Sequence, residues 1–142
     1  MTAVVLTTLL TGCASDEERY CEALADEQKT LTDLAEQAAG ADADVLTPTL
    51  ASFEQLRDAA PDELSDEWDT VVFAYQALAD AVAASGVDPA GYRPGSKPEG
   101  LSKAEERRLA AAASKLRSTR VAEAGSGIED HANEVCGVDF GA

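Results

Sequence analysis

The chain has 142 residues and carries 27 acidic against 11 basic side chains, which gives a net charge of −16 at neutral pH. A chain this acidic repels phosphate backbones and anionic lipid headgroups, so we expect no nucleic-acid partner. Its length fits one domain with a single core, and no apolar run approaches the roughly 18 to 20 residues that a membrane-spanning helix needs.

The apolar N-terminal segment ends in Leu10-Thr11-Gly12-Cys13, a pattern typical of bacterial lipoprotein signals. In such signals a leucine lies three residues before a cysteine, small residues fill the two positions between, and the sulfur receives a diacylglyceryl group before cleavage. We therefore expect residues 1–12 to be a signal peptide, Cys13 to be the lipid attachment site, and residues 13–142 to form one helical domain. A secretory signal normally opens with a basic residue, so we expect the translation start to lie upstream or the basic region to be missing. The alternative is a buried N-terminal element with a chance Gly-Cys pair.

Assigning Cys13 to the lipid leaves Cys21 and Cys136 as one pair near opposite ends of the domain. In an oxidising compartment such a pair predicts a disulfide, and two free, redox-active thiols are the alternative. The sequence contains no Cys-x-x-Cys motif, which favours the disulfide.

Apolar residues recur with helical spacing along the chain, and no segment alternates apolar and polar residues as a half-buried strand would. A first helix is predicted from Asp16 until Gly40, with Ser15 as its N-cap. Its buried stripe is Tyr20, Leu24, Leu31, Leu34 and Ala38. A second helix is predicted over residues 48–59, with Thr47 as N-cap and a proline in the first helical position. Its buried residues are Leu50, Phe53 and Leu56.

A third helix is predicted to open with the acidic residues after Pro61 and to end at Gly86. It carries the strongest apolar stripe in the chain, which predicts that it forms the centre of the core. The stripe consists of Leu64, Trp68, Val71, Val72, Tyr75, Leu78 and Val82. Residues 87–100, with three prolines and three glycines, predict a loop.

Ser102 and Glu105 form the predicted capping box of a fourth helix. Its apolar face is Leu109, Ala112, Ala113 and Leu116. The C-terminal segment also carries an apolar face with helical spacing, and Gly137 follows it as the predicted C-cap. That face consists of Val121, Ala124, Ile128 and Val135. The sequence leaves open whether the final helix continues through Gly125 and Gly127.

The predicted fold class is therefore all-α, an antiparallel bundle of four to five helices closed by a terminal disulfide. An even number of antiparallel helices returns the end of the last helix to the start of the first. This topology and the predicted disulfide support each other, because Cys21 and Cys136 must bring their α-carbons within about 7 Å.

The sequence offers few residues for catalysis. His131 is the only histidine, which excludes a di-iron bundle that takes a histidine from each of two helices. No zinc-ligand spacing surrounds it, and its place at the edge of the final apolar stripe predicts a partly solvated surface residue. A cluster of carboxylates is typical of a solvated helix start, with weak divalent-cation binding as the alternative. It consists of Asp62, Glu63, Asp66, Glu67 and Asp69. We predict no catalytic residue, no metal site and no cofactor.

Two candidate binding sites remain. The proline-stiffened loop offers an aromatic side chain beside two cations, which is a candidate contact for an anionic envelope component or a protein partner. These residues are Tyr92, Arg93 and Lys97. A simple crossover between helices is the more common explanation of such a loop. A ligand cavity between helices is the second candidate, although aromatic side chains more often fill a core. Its lining residues are Phe53, Trp68 and Tyr75.

Four short segments stand out along the chain: Leu10-Thr11-Gly12-Cys13, Tyr20-Cys21, Ala60-Pro61-Asp62-Glu63 and Cys136-Gly137-Val138. Together they resemble small all-helical lipoproteins of the actinobacterial type, from high-GC Gram-positive bacteria. The resemblance implies a helical fold anchored to the outer face of the cytoplasmic membrane, without supplying an activity. The leading hypothesis is a non-enzymatic module that binds a partner at the cell envelope. The alternative is a small-ligand binding or sensing module, and an enzyme of unrecognised class ranks third.

Overall fold

A computed structural model describes residues 14–40 and 43–139, and every regular element within these ranges is helical. Five α-helices pack together, which confirms the predicted fold class. Their bounds are α1 Asp16–Ala38, α2 Leu46–Ala59, α3 Ser65–Ser85, α4 Lys103–Leu116 and α5 Thr119–His131. The other elements are two 3₁₀ turns, Asp62–Leu64 and Pro89–Gly91, and a π-helical turn, Ala132–Cys136.

The five helices occupy four antiparallel positions in the bundle, because α4 and α5 follow one another along the same position. α1 packs on α2 and α2 on α3, while α3 contacts both α4 and α5. Leu109 of α4 clusters with Leu78 in the second half of α3, and Ile128 of α5 clusters with Trp68 in the first half. The chain therefore returns along α3 in two helices, joined at Arg117 and Ser118. Four antiparallel positions are an even number, so the end of the chain returns to the end of the bundle where α1 begins.

Buried apolar side chains form two clusters, one towards each end of the bundle. The disulfide-end core consists of Tyr20, Leu24, Leu56, Leu64, Trp68, Val71, Val72, Ala124, Ile128, Ala132 and Val138. The loop-end core consists of Leu78, Ala81, Val82, Tyr92, Leu109, Ala112 and Ala113. α3 contributes to both cores, in agreement with its predicted place at the centre of the fold.

Cys21 and Cys136 form a disulfide with their Cα atoms 5.0 Å apart, which confirms the predicted bridge. The π-helical turn that contains Cys136 also corrects one expectation. Val135, predicted on the buried face, is 45% exposed. Because a π-helical turn is wider than an α-helical one, it rotates Val135 out of the stripe, whereas Ala132 and Val138 on either side stay buried.

Most helix boundaries follow the local signals, with exceptions at α2 and at α3, which begins at Ser65 after the separate 3₁₀ turn Asp62–Leu64. The predicted capping box at the start of α4 is complete, and the predicted N-cap of α1, Ser15, forms a capping box with Glu18. The prediction of Thr47 as N-cap is wrong, because α2 begins at Leu46 and the Asp44 carboxylate accepts hydrogen bonds from the N–H groups of Leu46 and Thr47, both at 3.1 Å. The proline then falls in the third helical position, where a missing N–H also costs nothing. α5 continues unbroken through Gly125 and Gly127.

Tyr20 and Trp68 make a buried polar contact in the middle of the disulfide-end core. The indole Nε1 of Trp68 donates to the Tyr20 hydroxyl at 2.8 Å, and the two rings meet edge to face with centroids 6.5 Å apart. Tyr20 is fully buried. Burial raises the pKa of Tyr20 to about 12, against a smaller opposing effect of the hydrogen bond from Trp68. The phenol is therefore held in its neutral form by its surroundings.

Candidate ligand-binding cavity

A cavity of about 750 Å³ lies between the two cores and is partly open to solvent. Its walls come from the C-terminal half of α1, from α2, α3 and α5, from Leu116 at the end of α4, and from the loop of residues 87–100. Buried side chains of both cores form part of its lining, among them Leu56, Val71, Leu78 and Ile128. The lining is predominantly apolar, so the cavity suits a ligand with a largely apolar surface.

The three aromatic residues predicted to line a cavity lie together along one wall. Trp68 and Tyr75 are seven residues apart on α3 and so share a helix face. Phe53 of α2 packs edge-on against both, with ring centroids 5.6 Å from Trp68 and 4.9 Å from Tyr75. All three line the same cavity. Because Phe53 and Tyr75 are only partly buried, these rings present surface to the cavity as well as to the core.

The Tyr75 hydroxyl is a polar group in this apolar wall. It makes no hydrogen bond to any residue in the described ranges. Burial raises the pKa of Tyr75, so the hydroxyl stays neutral and can both donate and accept a hydrogen bond. Two exposed carboxylates, Glu36 and Glu129, also belong to the lining. The cavity thus combines apolar walls with the Tyr75 and Thr49 hydroxyls, neither of which is hydrogen-bonded to a described residue, and with a border that holds the two carboxylates and the Arg93 guanidinium.

Arg93 ties the 87–100 loop to the end of α1 beside the cavity. Its guanidinium donates hydrogen bonds to the carbonyl oxygens of Ala90 at 3.1 Å, Tyr92 at 2.9 Å and Gly40 at 2.9 Å. The contact with Gly40 bridges two segments that are distant in sequence. Arg93 therefore positions the loop that closes one side of the cavity.

The loop residues predicted to contact a partner have different surroundings from one another. Tyr92 is only 5% exposed and belongs to the loop-end core, so its ring is not a surface contact in this fold. Its burial raises the pKa of Tyr92. Arg93 is half-buried and holds backbone carbonyls, whereas Lys97 is exposed. A partner contact at Lys97 stays a prediction.

Cys13, the predicted lipid attachment site, lies outside the described residues. Comparison of the chain with known protein families, with curated proteins and with solved structures found no match. Within the described ranges, none of the helices is both long and apolar enough to cross a membrane. The function therefore has to be inferred from the chemistry of the cavity and from the sequence signals.

Proposed function

We propose that this chain is a non-enzymatic binding domain whose cavity takes a small, largely apolar and uncharged molecule. The observation that carries the proposal is the cavity of about 750 Å³ lined by Phe53, Trp68 and Tyr75. Its size falls within the roughly 300 to 1,000 Å³ typical of small-molecule sites. Of the two hypotheses from the sequence, the small-ligand module therefore has the better support, since the loop proposed as a partner contact has its tyrosine in the core.

The side chains around the cavity define the class of ligand. Aromatic and aliphatic walls favour an apolar body, because burying such surface is worth about 25 cal/mol per Å². The Tyr75 hydroxyl is free to donate to an acceptor such as a carbonyl or ether oxygen, which would fix the orientation of the ligand. Glu36 and Glu129 at the border, within a chain of net charge −16, disfavour an anionic head group. Arg93 also lines the cavity, but its guanidinium already donates hydrogen bonds to three backbone carbonyl oxygens.

The lining also favours binding over catalysis. Among the described residues that line the cavity there is no histidine, cysteine, serine or lysine. Histidine, the most common general base, and the serine, cysteine and lysine nucleophiles are thus missing from these walls. The two carboxylates at the border, Glu36 and Glu129, are exposed to solvent, whereas a catalytic pair of carboxylates typically has at least one member in a desolvated environment.

A location at the outer face of the cytoplasmic membrane, anchored through a lipid on Cys13, is part of the proposal. The lipoprotein-type signal at Leu10-Thr11-Gly12-Cys13 supports it, and so does the disulfide between Cys21 and Cys136, which is typical of oxidising compartments. The intact mass of the protein from the membranes of its native host tests this location. We expect a chain that begins at a diacylglyceryl-modified Cys13, and an unmodified chain that retains residues 1–12 would contradict it.

Blocking the cavity at Gly125 tests the ligand-binding function. Gly125 lines the cavity, and a Cβ placed there would meet no heavy atom within 4 Å. The substitution Gly125→Leu should therefore obstruct part of the cavity and also favour the helix, since glycine costs about 1 kcal/mol in a helix interior. We expect neutral apolar compounds to raise the Tm of the native chain in a concentration-dependent way. At a ligand concentration one hundred times Kd, the gain in the free energy of unfolding is about 2.7 kcal/mol. The same compounds should raise the Tm of Gly125→Leu by a smaller amount.

Phe73→Ala provides the matched control for this experiment. Phe73 lies on α3 between Trp68 and Tyr75 in sequence, but it is 53% exposed and does not line the cavity. Its loss should leave the ligand-induced shift intact. If every active compound shifts all three proteins equally, or if no compound of this class shifts the native chain, the proposed function is wrong.

A further inference from the structure

Three potential metal ligands converge at the disulfide end of the bundle, away from the cavity. They come from three separate elements: Glu17 from the first turn of α1, Glu63 from the 3₁₀ turn before α3, and His131 from the last position of α5. One ligand atom from each lies within 4.8 Å of the other two. None of the three lines the cavity, so a site formed by them is independent of the proposed function.

The surroundings of His131 differ from the expectation of a partly solvated surface residue. Its side chain is only 11% exposed, and its ring lies against Tyr20 with centroids 5.8 Å apart. The buried Nε2 has no hydrogen-bond partner among the described residues. The Nδ1 atom lies 3.9 Å from Glu63 Oε1, which is too far for a hydrogen bond. Packing thus holds the imidazole in place while the contacts of the fold satisfy neither nitrogen.

We propose that Glu17, Glu63 and His131 form a binding site for a borderline divalent cation, of which Zn²⁺ is the representative. An imidazole with carboxylates suits Zn²⁺ and its transition-metal neighbours, whereas Ca²⁺ and Mg²⁺ prefer sites made only of oxygen atoms. Three protein ligands leave a fourth position for water in tetrahedral coordination.

The geometry requires only a small adjustment of exposed side chains. With metal–ligand bonds of about 2.0 to 2.2 Å, the ligand atoms of a tetrahedral site are separated by roughly 3.3 to 3.6 Å. The present separations, up to 4.8 Å, are therefore about an ångström too wide. Both glutamates are exposed, and the Glu63 side chain retains 68% of its surface. Rotation of these two side chains towards the fixed imidazole closes the site without moving the backbone.

A cation bound here would link the start of α1, the turn before α3 and the end of α5. The Cys21–Cys136 disulfide joins α1 to the turn that follows α5, so the cation and the disulfide would hold the same end of the bundle. The cation would offset part of the net charge of −16 and join three elements, so binding to the folded state raises stability.

Titration calorimetry with ZnCl₂ tests the site on the full chain, purified without a tag and with its disulfide formed. We expect saturable binding of one Zn²⁺ per chain. Because loss of an outer-shell partner already weakens metal sites by about 10 to 100-fold, loss of a direct ligand in Glu63→Gln or Glu17→Gln should weaken binding by at least about tenfold. Glu22→Gln is the matched control, since Glu22 is an exposed glutamate of α1 outside the cluster.

The two glutamine variants carry the test because the ring of His131 also packs on Tyr20, so that its replacement alters the core. Substitution of Co²⁺ for Zn²⁺ provides a second measurement. A four-coordinate site with a nitrogen ligand should give intense visible absorption that Glu63→Gln weakens and Glu22→Gln retains. Non-saturable binding, or equal affinity of the native chain, Glu17→Gln, Glu63→Gln and Glu22→Gln, would overturn the proposal.

Discussion

Replacement of Cys21 and Cys136 together by serine is expected to lower the free energy of unfolding by about 5 kcal/mol. The disulfide spans 115 residues of sequence, and in the chain-entropy model closing so long a loop strongly restricts the unfolded chain. A domain of this size typically has a total stability of about 5 to 15 kcal/mol, so the loss is a large part of the whole. Urea denaturation of the oxidised native chain and of the double variant, followed by circular dichroism, measures the difference.

Reduction of the native chain provides the control for this substitution. A reducing agent removes the same restriction without changing any residue, so it should cause a loss of stability similar to that of the double serine variant. A difference below about 1 kcal/mol in both experiments would show that the bond does not stabilise the fold in the way that the chain-entropy model requires.

The second large effect is a loss of stability at high pH through Tyr20. Its pKa is about 12 in the folded protein against about 10 in the unfolded chain, so the folded state binds the phenolic proton more tightly. The resulting stabilisation is fully present below pH 10 and is lost as the pH rises through 12. Since one pKa unit corresponds to about 1.4 kcal/mol, the contribution amounts to roughly 2 to 3 kcal/mol.

Comparison with Tyr20→Phe isolates this contribution. At pH 7 the variant should be less stable than the native chain by about 1 to 3 kcal/mol, because the buried indole N–H of Trp68 loses its acceptor. Between pH 10 and pH 12 the gap should shrink, since phenylalanine has no proton to lose. Tyr75→Phe is the control at pH 7, where it should cost little because that hydroxyl has no hydrogen bond to a described residue. A gap between the native chain and Tyr20→Phe that stays constant from pH 8 to pH 12 would contradict the role of Tyr20.

Much of the fold could be predicted because its signals lie within a few neighbouring residues or depend only on the number of cysteines. The capping boxes at Ser15 and Ser102 each involve residues three positions apart, so no tertiary contact is needed to set them. The disulfide follows from having two cysteines left after Cys13. Asp44 as the capping residue of α2 could not be predicted, because Thr47 before a proline is an equally good local signal.

The cavity and the metal cluster depend on tertiary placement that a sequence pattern does not record. Leu31 and Leu34 have the spacing of a buried stripe whether they fill a core or line a cavity, and here they line the cavity. The burial of Tyr92 likewise depends on how the 87–100 loop folds back on α3 and α4. The cluster of Glu17, Glu63 and His131 comes from three distant segments, which no ligand spacing could have joined. The sequence alone could not decide whether Phe53, Trp68 and Tyr75 line a cavity or fill the core, because both environments use the same residue types.

Binding of a small, uncharged apolar molecule in the cavity beside Trp68 is tested most directly by fluorescence. Trp68 is the only tryptophan of the chain, so energy transfer from it to the neutral dye phenylnaphthylamine reports dye bound to the domain, and comparison with Gly125→Leu locates that dye in the cavity. We expect transfer in the native chain to saturate at one dye per chain and to require a higher dye concentration in Gly125→Leu. Transfer that fails to saturate, or that is equal in the two proteins, would contradict ligand binding in this cavity.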